Sequence, residues 1–188
     1  MNNADKVMVW DPFVRIFHWS LVAAFTVAYL SAEEWEDVHV IAGYVVLGLI
    51  AARIVWGFLG TPNARFSSFV RSPMEAGRYA LDVVTGRAAR HLGHNPAGGL
   101  MIVLMILALV ATTLTGLALY GAEEGAGPLA YWLAGSSEPL EHTLEEAHEF
   151  FANLMVAFVA IHILGVIVES FLHREDLVGA MFHGRKRV

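Results

Sequence analysis

The chain has 188 residues, 56% hydrophobic and 16% charged, with a mean hydropathy of +0.54. That balance is too apolar for an ordinary water-soluble domain and points to a bilayer as solvent. The net charge is −6 and cysteine is absent, which excludes disulfides, cysteine-ligated iron–sulfur clusters and cofactor attachment through a C-x-x-C-H motif.

Residues 2–11 are polar, and no A-x-A-like site closes a short apolar core, so the first apolar stretch is expected to stay as a span. Four segments then reach the roughly 20 apolar residues a crossing needs: 13–31, 39–59, 98–120 and 144–172. Helix is the expected form, because a lone strand cannot satisfy its backbone in lipid. The predicted fold is an all-α integral membrane protein, a four-transmembrane-helix bundle forming one domain over 1–188.

The linkers differ in kind. The segment 32–38 is short and acidic, 60–97 is long and basic, and 121–143 is Gly-rich and acidic. Within the long linker, Ser72-Pro73-Met74-Glu75 reads as an N-cap, a proline at the first helical position and an early acid, with Gly86 as a stop. Tyr131 and Trp132, inside 128–133, suit the headgroup layer.

All 12 Lys and Arg residues fall on one side of the four-span arrangement. They are Lys6 and Arg15, then Arg53 to Arg90, then Arg174 to Arg187. The positive-inside rule therefore predicts cytoplasmic termini, a cytoplasmic loop 60–97 and a periplasmic loop 121–143.

The histidines carry the chemistry. His148 and His162 lie 14 residues apart on the fourth segment. Fourteen helical steps return to within about 40° of the same face and advance about 21 Å along the axis. One face thus presents imidazoles at two depths. His18 opens the first span on the cytoplasmic side, and His39 opens the second at the outer surface. Matching depths pairs His18 with His162 and His39 with His148. Each pair joins different helices, as a bis-imidazole haem requires. Neutral imidazole also suits zinc or copper, but two-ligand sites without cysteine fit a planar haem better than a tetrahedral metal.

An isolated intramembrane histidine can simply bond a neighbouring helix; four at matching depths point to function. His142 points about 120° away from the His148 face, and His173 lies beyond the inner membrane edge. His91, His94 and His183 read as solvated cytoplasmic residues, with quinone contact or proton shuttling the other reading of His94. Gly43 and Gly165 remove bulk near His39 and His162, for a macrocycle or for plain helix packing. Arg53 lies near the inner haem level and suits a haem propionate, as does Arg15. Snorkelling, or a pair with Glu169, are the other readings of Arg53.

Several runs now resemble a known family. They are Trp10-Asp11-Pro12-Phe13-Val14-Arg15-Ile16-Phe17-His18-Trp19; His39 to Tyr44; Arg53 to Phe58; Gly93-His94-Asn95-Pro96-Ala97-Gly98; and Ser170 to Leu177. With the His148/His162 spacing, they resemble the bacterial di-haem cytochrome b561 family, which includes the b-type subunits of membrane hydrogenases. The resemblance implies four helices in the bacterial inner membrane and two non-covalent b haems. It implies His18, His39, His148 and His162 as axial ligands, and exchange with ubiquinone or menaquinone. A fifth span found in some hydrogenase-type subunits is not expected, which turns the reading away from a direct hydrogenase anchor.

The outer face is acidic, from Glu33 to Asp37 and from Glu123 to Glu149. Such a face steers in a basic periplasmic redox protein such as cytochrome c and repels a small anion. Superoxide oxidation, an activity within the family, therefore ranks second. No catalytic residue is assigned, because both axial positions of each iron are filled. Membrane lipid is an expected partner, nucleic acid is not, and a homodimer stays open. A non-redox scaffold or histidine proton relay is the alternative of a different class.

Overall fold

The structure is a computed structural model that describes residues 6–188. The polar stretch 2–11 lies partly outside the described residues. Eight α-helices and one two-stranded ribbon are found among them. In chain order these are β1 (Lys6–Met8), α1 (Pro12–Ser31), α2 (Glu36–Leu59), α3 (Phe66–Phe69), α4 (Pro73–Val84), α5 (Pro96–Glu123), α6 (Ala130–Leu133), α7 (Glu138–His173), α8 (Leu177–His183) and β2 (Arg185–Arg187). Helices α1, α2, α5 and α7 are long and apolar enough to cross a membrane. Their apolar stretches are mostly not buried within the chain, 6% in the case of α7, as expected where lipid covers the outer faces.

Each of these helices matches a predicted span but runs past its apolar stretch. Helix α7 has 36 residues against 144–172 expected. A helix satisfies its own backbone, so nothing forces it to stop where the hydrocarbon ends. Helix α4 follows the linker signal: the Ser72 side chain accepts from Glu75 N at 3.2 Å, with Pro73 at the first position. Gly86, beyond its end, has φ +69°.

The chain divides into two compact units, and each long helix contributes a segment to both. The first comprises Met1–Ser20, Ala51–Leu104 and Phe158–Val188; the second comprises Leu21–Ile50 and Met105–Ala157. All 12 Lys and Arg residues belong to the first.

A clasp organises the first unit. Strands β1 and β2 pair antiparallel, Lys6 with Arg187 and Met8 with Arg185. Gly184 makes the turn into β2 at φ +81°, and its carbonyl accepts from Val9 N at 2.8 Å and Trp10 N at 3.1 Å. A side chain at Gly184 would stand 2.6 Å from the Trp10 carbonyl oxygen, so only glycine fits. Beside the ribbon, Glu175 accepts from Arg90 Nε at 2.8 Å and lies 3.5 Å from Lys186 Nζ. Asp11 caps α1 by accepting from Val14 N at 3.0 Å, and ties in Trp56 Nε1 at 3.3 Å and Thr61 Oγ1.

The clasp is pH-sensitive. Burial pushes the Glu175 carboxyl up, but the hydrogen bond from Arg90 and the charges of Lys186 and Arg90 outweigh it and hold it below its ordinary 4.5. A carboxyl lowered on folding stabilises the folded form above its unfolded value, and that stability is lost as pH falls through the lowered value. Glu175→Gln should therefore unfold earlier on heating at pH 7. The loss is about 3 kcal/mol, because buried Lys186 is stranded. The gap from the parent should close as pH falls below about 4.5; a gap constant from pH 7 to pH 4 would refute this.

In the second unit, Ala42, Val46, Ile50, Ala108, Leu109, Ala122 and Met155 are the buried apolar positions. The hydroxyls of Thr112 and Thr113 bond back to Ala108 and Leu109 carbonyls at 2.9 Å each, so these polar residues sit buried at no hydrogen-bond cost.

Candidate haem sites

In the first unit, His18 on α1 and His162 on α7 face each other, with ring centres 6.4 Å apart and planes at 53°. The Nδ1 of His18 is buried without a partner among the described residues. In the second unit, His39 on α2 and His148 on α7 face each other at 5.9 Å and 84°. There both Nδ1 atoms are tied to main-chain carbonyls, His39 to Ala28 at 2.8 Å and His148 to Thr112 at 2.9 Å. An imidazole that donates from Nδ1 keeps the Nε2 lone pair free for a metal, with ring tautomer and direction fixed.

The spacing can be tested against a planar haem. Two metal–nitrogen bonds of about 2 Å, plus about 1.1 Å from each nitrogen to its ring centre, place two axial imidazoles about 6 Å apart. Both pairs fit. Among the described residues no cluster of three or more metal-binding side chains occurs, so nothing competes as a multidentate centre. At Gly43 and at Gly165 an added side-chain carbon would meet nothing within 4 Å, so each glycine borders open space.

Residues 9–184 match the family described as prokaryotic cytochrome b561. The chain belongs to that family. It is therefore a b-type cytochrome of the bacterial membrane, and its work is electron transfer across that membrane through b-type haem. Curated relatives have the name probable Ni/Fe-hydrogenase B-type cytochrome subunit. The one from Rhizobium leguminosarum bv. viciae is 24% identical, covering 97% of this chain and 89% of its own. Those from Azotobacter chroococcum mcd 1 and Azotobacter vinelandii are 27% and 26% identical, each covering 98% of this chain and 90% of its own. No solved structure matches the chain at a significant level.

Two alternative readings of Arg53, snorkelling and a pair with Glu169, do not hold in the cytochrome. Arg53 is buried, at 4% exposure, so it does not snorkel. Its Nη2 donates to the Ala64 carbonyl at 3.1 Å and its guanidinium lies over Phe66 at 5.1 Å. Its Nη1 has no partner among the described residues. Glu169 does not pair with it: that carboxylate accepts from Tyr79 Oη at 3.0 Å and lies 3.3 Å from His173 Nε2. Arg15 turns toward α8, where its Nη1 donates to the Phe182 carbonyl.

His94 is not a solvated residue. It packs between Trp10 and Phe69, with ring centres 4.5 and 4.8 Å away, and its Nδ1 is sealed without a partner among the described residues. Burial, then the charges of Arg53, Lys186 and His162, push it down to about 3, so it is neutral at physiological pH. Trp10 is brought there by the terminal clasp, a contact distant in sequence. His142 is exposed beside Glu145 and Glu146, and His91 and His183 are exposed.

Gly116 escaped the sequence reading. A side-chain carbon there would stand 2.8 Å from His148 Cε1, so the His148 ring lies against bare α5 backbone. A glycine in a membrane helix 32 residues before a histidine carries no local signal; its role emerges only from the packing of α5 on α7.

Proposed function

We propose that the cytochrome carries two b haems, one held by His18 and His162 and the other by His39 and His148. On this reading residues 1–188 form a single di-haem membrane domain. It passes electrons between the quinone pool and a redox partner at the opposite face. The observation that carries the reading is that each imidazole pair joins two different helices at the spacing a bis-imidazole iron needs. The haem supplies the redox chemistry; the chain supplies ligands, dielectric and access.

His39 and His148 are aimed by the carbonyls of Ala28 and Thr112. Arg53, with its unpartnered Nη1, is the cation we place beside a haem propionate, since a buried guanidinium needs an anion. Gly43 and Gly165 leave room for the macrocycle. With every axial position filled by protein, substrates exchange electrons at the haem edge and not at the iron.

The Lys/Arg asymmetry supports cytoplasmic termini and an inner-membrane location. The acidic loops then face the periplasm and favour a basic partner such as a cytochrome c. A second reading rests on the relatives' names: the partner is a Ni/Fe-hydrogenase that delivers electrons to the haems.

The reduced-minus-oxidised visible spectrum, with haem counted per chain, tests the proposal. Two low-spin b haems per chain are expected. One haem would mean a misassigned pair, and none would replace electron transfer by a scaffold or proton relay.

A further inference from the structure

A groove of about 360 Å³ runs between the start of α1 and α8. Its walls are Ile16, Trp19 and Ser20 from α1, and Met181 and Phe182 from α8, with Arg15 as its one cation. The apolar walls are open to the outside: Ile16 is 67% exposed and Phe182 62%. Arg15 does not hang free in the groove. Its Nη1 is committed to the Phe182 carbonyl, and its Nε is sealed against Gly184, where any side chain would come within 3.4 Å. The opposite wall is equally fixed, because Trp19 donates to the Met181 carbonyl at 3.3 Å and stacks on Phe182 at 4.5 Å.

Position and charge then name the occupant. Helix α1 is a membrane span beginning at Pro12, so Arg15 stands in its first turn, at headgroup depth, with apolar surface continuing along Ile16 toward the hydrocarbon. The ribbon beside it adds the exposed cations Lys6 and Arg185. The carboxylate of α8, Asp176, is engaged in capping that helix's own first turn through Gly179 N. A fixed guanidinium under an apolar channel, on the side that carries every Lys and Arg, is complementary to a lipid phosphate with an attached acyl chain.

We propose that this groove is a binding site for one anionic phospholipid, its phosphate on Arg15 and an acyl chain along Ile16, Ser20 and Phe182. The groove adjoins His18, whose ring centre lies 5.0 Å from that of Trp19, but it uses neither histidine pair as a ligand and does not depend on how many haems they hold.

The test uses the purified holoprotein in detergent. Phosphatidylglycerol, phosphatidylcholine and glycerol 1-phosphate are added in turn, and bound molecules are counted by native mass spectrometry. One phosphatidylglycerol should be retained in preference to phosphatidylcholine, and glycerol 1-phosphate alone should not compete. Arg15→Gln should weaken phosphatidylglycerol about fivefold, and Arg15→Lys much less, as expected for one cation at an anionic surface. Ser20→Trp, which fills the groove and leaves Arg15 in place, should also abolish retention, so the outcome does not hang on Arg15→Gln folding. Equal retention of the two lipids, retention unchanged in both Arg15→Gln and Ser20→Trp, or full competition by glycerol 1-phosphate would overturn the proposal. Displacement of the lipid by a short-chain quinone at equal concentration would give the groove to quinone instead.

Discussion

If the proposed ligand pairs hold two haems, replacing His162 with alanine should take the cytochrome from two haems per chain to one. His162 faces His18 with ring centres 6.4 Å apart, so removing it takes away one of the two imidazoles of that pair. His39 and His148 belong to the other unit and keep their own hydrogen bonds, so the haem they hold should survive with its low-spin spectrum intact. His18→Ala should give the same single-haem protein, and the double variant should lose no more than either alone, as expected for two ligands of one iron. A structural role for His162 would also destabilise the bundle, so His162→Gly with added imidazole is the sharper form. Free imidazole should restore the second low-spin haem at that site. Two haems retained in His162→Ala, or no response to imidazole at all, would remove the pair from the haem assignment.

Part of this was legible in the sequence for physical reasons. The 14-residue spacing on α7 is a property of one helix, whose angular step is fixed whatever it packs against. The Lys/Arg asymmetry needs no contact to read, and the Ser72 cap of α4 is settled within four residues. The rest depends on contacts between distant segments. Nothing near Lys186 in the sequence says that one member of a basic tail is buried against Glu175, because the strand pairing that buries it joins the two ends of the chain. His94 looked solvated for the same reason: Trp10, 84 positions earlier, covers it. Asp11 is a different kind of miss. An aspartate directly before a proline at a helix start is a local capping signal, and here it caps α1.

On the proposed ligand assignment, Gly116→Val should remove the haem of His39 and His148 while leaving that of His18 and His162. The position has no room for a side chain on the His148 side: the first added carbon would lie 2.8 Å from Cε1 and 3.1 Å from Nδ1. Alanine places one methyl there, and the ring can yield by a few tenths of an ångström, so Gly116→Ala should keep both haems with a shifted spectrum for one. Valine adds two further carbons on a stiff χ1 and leaves the ring no such adjustment. It must tilt away from α5, and that tilt breaks the bond from Nδ1 to the Thr112 carbonyl, now 2.9 Å, which aims Nε2. Overpacking costs about 1–3 kcal/mol, and the broken hydrogen bond about 1 kcal/mol more. That is enough to empty a site whose ligand also points the wrong way. The surviving haem is the internal control, since a general failure to fold would lose both. Gly116→Val and His148→Ala should then be indistinguishable in haem count and spectrum. If Gly116→Val instead retains two haems with unchanged spectra, His148 does not rest on α5, and the second pair loses the support that orients it.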